Sequence, residues 1–192
     1  HGMAPNESRR RELADAGIRV LAREGARGLT HRAVDRAAEV PTGTTSNYFR
    51  SRDALIAGLV DRIGERLAPD PARLDALALL PRDRAAFAEY LRYIVERLTG
   101  DPDVTLALFE LRLESTRRPE VAAVLHGWSR DGFAADVEFN RAAGLPGGAA
   151  QIALFHYAID GLLLDRLTAP IDPATSTDAV IDALVDGLLP ER

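Results

Sequence analysis

A chain of 192 residues, 46% hydrophobic and 28% charged, can bury a sizeable core. It has neither the run of about 18 apolar residues that would span a membrane nor, in "HGMAPNESRRR", the apolar centre of a signal peptide, so a cytoplasmic protein is expected. With no cysteine, disulfides, thiol catalysis and thiolate metal sites are excluded together, and the net charge of -5 argues against nucleic acid unless it is unevenly spread.

It is uneven. Residues 1–50 hold nine arginines against six acids, a net +3, which leaves -8 for the remainder. That asymmetry suggests an N-terminal part facing a polyanion and an acidic body behind it. His1 and Gly2, ahead of Met3, read as a tag remnant and are set aside.

In chain order, Ala14, Ile18, Leu21 and Ala22 recur at helical spacing within residues 8–24, and Gly25 and Gly28 close that helix. Thr30 caps a second, short helix, with Leu29 and Val34 in the positions of a hydrophobic staple and Ala33, Val34, Ala37 and Ala38 as its buried stripe. Val40-Pro41 starts a third helix through Phe49. Ser51 caps a fourth from Arg52 to about Leu67, whose inward residues are Leu55, Ile56, Leu59, Val60 and Ile63. "APDPA", residues 68–72, breaks the pattern.

Beyond the break, Phe87, Leu91, Ile94, Val95 and Leu98 mark a helix within 82–99. Further helices are predicted over 103–116, from Pro119 to about Ala143, over 149–168 and over about 177–189. No strand is predicted, so the fold class is all-α.

The third helix is unusual. Thr42, Gly43, Thr44, Thr45, Ser46 and Asn47 offer no side chain that could anchor a core. Two short helices and this polar one, followed by a longer helix, form the layout of a helix-turn-helix head. Small hydroxyl side chains and an asparagine suit a helix that enters the major groove and bonds to base edges, while Tyr48 and Arg52 just behind can reach phosphates. Residues 1–50 are therefore assigned as a DNA-binding domain and 51–192 as a helical ligand-binding and dimerisation domain.

The stretch "LADAGIRVLAREGARGLTHRAVDRAAEVPTGTTSNYFRSRDALIAGLVDRI" resembles the N-terminal domain of TetR-family transcriptional repressors. The resemblance covers roughly residues 8–63, and the rest agrees as an all-helical body of suitable length. It implies a homodimeric repressor that binds a palindromic operator on double-stranded DNA and releases it for a small-molecule inducer. It also implies that Thr30 and Arg32 meet phosphates, that Thr42, Thr44, Thr45 and Asn47 face bases, and that Tyr48 and Arg52 clamp phosphate. Three positions depart from the family pattern. Glu39 replaces the turn glycine, at a cost of about 1 kcal/mol if it is left-handed; Thr45-Ser46 replaces Leu-Tyr; and Arg52 replaces lysine.

In the body, Leu106, Phe109, Leu113, Trp128, Phe133 and Phe155 supply apolar and aromatic surface for a pocket between helices. Glu110, His156 and Asp160, with Glu114 and His126, lie on the same helices and would orient a ligand. The last two helices carry more apolar face than one body absorbs: Ile152, Ile159, Leu162, Leu163 and Leu167, then Val180, Ile181, Leu184, Val185 and Leu188. A homodimer through them is expected.

An enzyme is not expected. "GWSRDG", residues 127–132, has its second glycine one place too late for a nucleophile elbow and no strand before the serine. No phosphate loop, dinucleotide fingerprint or paired-histidine metal spacing occurs, so neither cofactor nor metal is expected. The remaining alternatives are a helical protein-binding adaptor and a constitutive repressor without inducer.

Overall fold

The structure, a computed structural model, describes residues 5–191. The tag reading of His1 and Gly2 lies outside them. Among the described residues there are ten helices and no strand: α1 (Pro5–Gly28), α2 (His31–Ala37), α3 (Thr44–Tyr48), α4 (Arg52–Leu67), α5 (Pro71–Leu77), α6 (Arg84–Gly100), α7 (Pro102–Glu114), α8 (Pro119–Ala142), α9 (Ala149–Leu167) and α10 (Thr177–Leu188). No helix among these residues is long and apolar enough to cross a membrane.

Contacts divide the chain into two compact units. One runs to Ala68 and takes up Asp101–Trp128; the other comprises Pro69–Gly100 and runs on from Ser129. In the first unit α1 packs on α2, α4 and α7. Its core includes Leu13, Ile18, Leu21, Leu29, Val34 and Leu111, and full burial of each such side chain stabilises by roughly 1.5–3 kcal/mol. The predicted inner face of α4 holds: Leu55, Ile56, Leu59, Val60 and Ile63 are all buried.

Caps set the helix starts. Thr30 accepts from the Ala33 N–H at 3.0 Å and Ser51 from the Ala54 N–H at 3.0 Å, so both starts fall where the sequence places them. Two elements differ. The third helix begins at Thr44 and not at Val40-Pro41, because residues 41–44 form a turn in which the Thr44 N–H and hydroxyl both donate to the Pro41 carbonyl, and Gly43 has φ 95°. The break after α4 also contains an unpredicted helix, α5: Asp70 accepts from the Ala72 N–H and Pro71 takes the first helical position, where its missing N–H costs nothing.

In the second unit α6 packs on α9 and α10, with Phe87 against Phe155 at 4.9 Å between ring centroids. Arg84 donates to the carbonyls of Val185, Leu189 and Pro190, closing the C-terminal end of α10.

Candidate nucleic-acid interface and ligand site

The head is organised around an acid. Asp35 sits on the inner side of α2 and is 3% exposed. Its carboxylate accepts from the Gly43 N–H at 2.9 Å, the Thr45 N–H at 2.8 Å and the Thr45 hydroxyl at 2.5 Å. The first turn of α3 leaves N–H groups without partners, and Gly43 at its N-cap has no side chain to satisfy them. Asp35 supplies that cap from the neighbouring helix. Burial by itself would raise the Asp35 pKa; the Thr45 and Gly43 hydrogen bonds, with the charge of His31, outweigh it and hold the carboxyl below its ordinary value of 3.8.

The other end of α3 is held as firmly. Arg10 of α1 donates to the Tyr48 carbonyl at 2.9 Å and lies 4.3 Å above the Phe49 ring, while the His31 Nε2–H donates to the Phe49 carbonyl at 2.7 Å. Phe49 is 1% exposed and rests directly on Gly58, where an added Cβ would stand 2.3 Å from the ring. Between α2 and α3, Glu39 has φ 55°, and the bonds from Glu39 N–H to Arg36 O and Val40 N–H to Asp35 O close a left-handed helix end of Schellman type.

The expected DNA residues separate into two sets. Thr30, Arg32, Thr42, Ser46 and Asn47 are exposed. Thr44 is half-buried with its hydroxyl bonded to Pro41; Gly43 and Tyr48 are half-buried as well. Thr45 is a correction: it is 0% exposed and its hydroxyl is committed to Asp35, so it faces the interior and not bases. Arg52 is another, because its guanidinium turns inward and donates to the carbonyls of Leu29 and of Ala26, the latter at 2.9 Å. It braces the loop after α1 in place of the expected phosphate clamp. Asp35 was missed by sequence reasoning. Its one signal is an acid inside the stripe Ala33, Val34, Ala37, Ala38, which requires buried donors somewhere.

The expected ligand residues are distributed over both units. In the first, Leu106 and Phe109 are half-buried on α7. The Glu110 carboxylate approaches Gly25, where α1 kinks with φ 71°, and Trp128 lies against Gly64 of α4. Leu113 is 58% exposed, which removes it as a pocket wall within this unit. In the second, Phe133 meets the ring of His156 edge-on at 5.9 Å, His156 Nε2 lies 2.8 Å from Asp136, and Asp160 is half-buried. Phe155 is 3% exposed and belongs to the core with Phe87.

The dimerisation faces also need correction. Ile152, Ile159 and Leu163 of α9, with Ile181 and Val185 of α10, are buried within their own unit. The large apolar side chains that α9 leaves exposed are Leu154, Tyr157 and Leu164, at 42%, 70% and 49%.

Residues 82–191, more than half of the chain, match the family described as tetracyclin repressor-like, C-terminal domain, and the chain belongs to the TetR family. A curated relative, the HTH-type transcriptional regulator BetI of Rhizobium meliloti (strain 1021), is 26% identical over 129 residues, which cover 67% of this chain. The chain spans 62% of that relative's length. Among solved structures, a TetR-family member from Streptomyces coelicolor A3 is 27% identical with a TM-score of 0.70, covering 95% of this chain and 99% of that one. The multidrug binding protein EbrR complexed with ethidium is 26% identical with a TM-score of 0.66, again covering 95% and 99%.

Proposed function

We propose that the chain is a transcriptional regulator, a repressor that binds a palindromic operator as a homodimer in the cytoplasm and is released by a small-molecule inducer. The observation that carries this reading is the α2–α3 pair. A five-residue helix is fixed at both ends by Asp35, Arg10 and His31, with Ser46 and Asn47 exposed on it and Thr42 and Arg32 exposed ahead of it. Such preorganisation suits a groove-reading element, since the ordering cost is met before binding. Residues 1–50 then act as the DNA-binding domain and 51–192 as the ligand-binding and dimerisation domain.

Dimerisation through α9 and α10 is supported by the exposed Leu154, Tyr157 and Leu164, which would carry the two heads to successive major grooves about 34–36 Å apart or a small multiple of this. The inducer is supported by EbrR, which holds ethidium in its own structure. A ligand acts only through its differential affinity for the DNA-compatible and DNA-incompatible states. The test is a mobility shift of the purified protein on fragments of its own upstream DNA at several salt concentrations. Binding of one palindromic fragment, weakening steeply with salt, supports the reading. Absence of binding to any duplex would refute it.

A further inference from the structure

In the second unit one side chain is seated as a ligand would be. α5, α6 and α10 wall a groove of about 410 Å³, whose apolar lining comes from Leu77, Val95, Ile181 and the ring of Tyr93. Small-molecule sites run to roughly 300–1,000 Å³, so the groove is of a size to hold one. The guanidinium of Arg73, on α5, lies 4.5 Å from the Tyr93 ring centroid and makes two bonds to Glu96, Nη1 to Oε1 at 3.2 Å and Nη2 to Oε2 at 3.1 Å. An aromatic face, a carboxylate and an apolar wall together are what recognises an organic cation.

Of the other charges near the groove, Arg92 has different partners and Arg97 shares the Tyr93 ring. Arg92 bonds Glu89 at 2.7 Å, Asp178 at 3.1 Å and also Asp182, while Arg97 lies 5.0 Å from the Tyr93 ring. The element that delivers Arg73 is lightly held. No residue of α5 is buried, the Arg73 and Glu96 side chains are 47% and 62% exposed, and the remaining polar tie is the Asp70 N–H donating to the Tyr93 hydroxyl at 2.7 Å. An ion pair so exposed adds little to stability.

We propose that this groove is a binding site for an organic cation with an apolar body, and that Arg73 is a tethered occupant which the ligand displaces. The ligand's cation takes the Tyr93 face and the Glu96 carboxylate, and its body covers Val95 and Ile181 on α6 and α10 as α5 withdraws. The site stands apart from the operator reading and does not depend on it.

The probe is phenethylguanidinium, titrated calorimetrically into the full chain beside phenylacetate and phenethyl alcohol, which share its body without its charge. The guanidinium should bind and the other two should not compete. Arg73→Ala should tighten binding about tenfold, because a tethered competitor acts at millimolar effective concentration. Glu96→Gln should weaken it about tenfold through loss of the charge-assisted bonds. Saturating probe should also speed amide exchange across α5 in the wild-type chain. Three probes binding alike, Arg73→Ala binding no tighter than wild type, or unchanged exchange in α5 would each overturn the proposal.

Discussion

α3 and α5, five and seven residues long, are both far below the roughly 12–15 residues that an isolated helix needs in water, so neither owes its existence to propensity. Each is held by tertiary contacts, and the contacts differ in kind. α3 hangs between a buried carboxylate at one end and a ring seated on Gly58 at the other. α5 has a good cap, a proline start and no buried residue; its polar ties are an exposed ion pair and a half-buried bond to the hydroxyl of Tyr93. A hydrogen bond in the interior cannot be exchanged for water without leaving a polar group unsatisfied, whereas a surface bond can. One short helix is therefore fixed and the other is held far more lightly.

The largest effect should come from removing the fixing acid. Asp35→Ala strands the Thr45 N–H and hydroxyl in the interior and unpairs the half-buried Gly43 N–H, and with about 1–3 kcal/mol for each buried unsatisfied group the first unit should lose at least about 2 kcal/mol by denaturant unfolding. The double variant Asp35→Ala with Thr45→Leu replaces a polar pair by an apolar one and should recover much of that loss. If the single and double variants unfold alike, the hydroxyl contact contributes nothing. The same acid sets a pH dependence. Its folded pKa is depressed, so its stabilisation is present at neutral pH, where the carboxyl is ionised in both states, and is lost as pH falls below 3.8 and through the lowered folded value. Asp35→Asn should be less stable than wild type at neutral pH and should lose less on acidification to that range.

The next test separates inward from outward arginines. Arg52 donates to two backbone carbonyls, and hydrogen bonds to charged groups contribute about 1.5–3 kcal/mol, so Arg52→Ala should lower stability by roughly 2 kcal/mol. Its DNA affinity should keep the wild-type salt slope. Arg32→Ala should do the reverse, leaving stability nearly unchanged while the slope of log K against log salt falls by about one. A reduced slope in Arg52→Ala would return that residue to the phosphate role drawn from resemblance. The contrast between the short helices themselves is readable by amide exchange: amides of α3 should open only with the first unit's core, those of α5 far more readily.

How much of this the sequence discloses depends on whether a feature is local. Thr30 and Ser51 each stand three residues before an apolar pair, Ala33-Val34 and Ala54-Leu55, so the starts of α2 and α4 follow from their neighbours alone. Pro69 and Pro71 look like breakers and hide α5, although Asp70-Pro71 is equally a cap followed by a first helical residue. α9 is apolar on every side, so periodicity cannot tell the buried Ile152, Ile159 and Leu163 from the exposed Leu154, Tyr157 and Leu164. The bonding of Asp35 to Gly43 and Thr45 is hidden for a different reason: it joins a helix to residues eight and ten positions on, across a turn whose path depends on the bond itself. Resemblance misled at Thr45, because a buried position was carried over as a reading one.

The smallest effect concerns the turn between α2 and α3, where the sequence departs from the family and the structure shows the consequence. Glu39 occupies φ 55°, a region where a Cβ crowds the following carbonyl, and its N–H and that of Val40 close the end of α2. Glycine carries no such penalty there, while it gains flexibility in the unfolded chain that offsets part of the benefit. Glu39→Gly should therefore stabilise the first unit by about 1 kcal/mol or somewhat less. Glu39→Ala keeps the Cβ and should gain nothing. Because Asp35 and Phe49 already fix both ends of α3, neither variant should change operator affinity. A gain in Glu39→Ala equal to that in Glu39→Gly would point to removal of the charge, and the strain at this turn would then not be what limits the head.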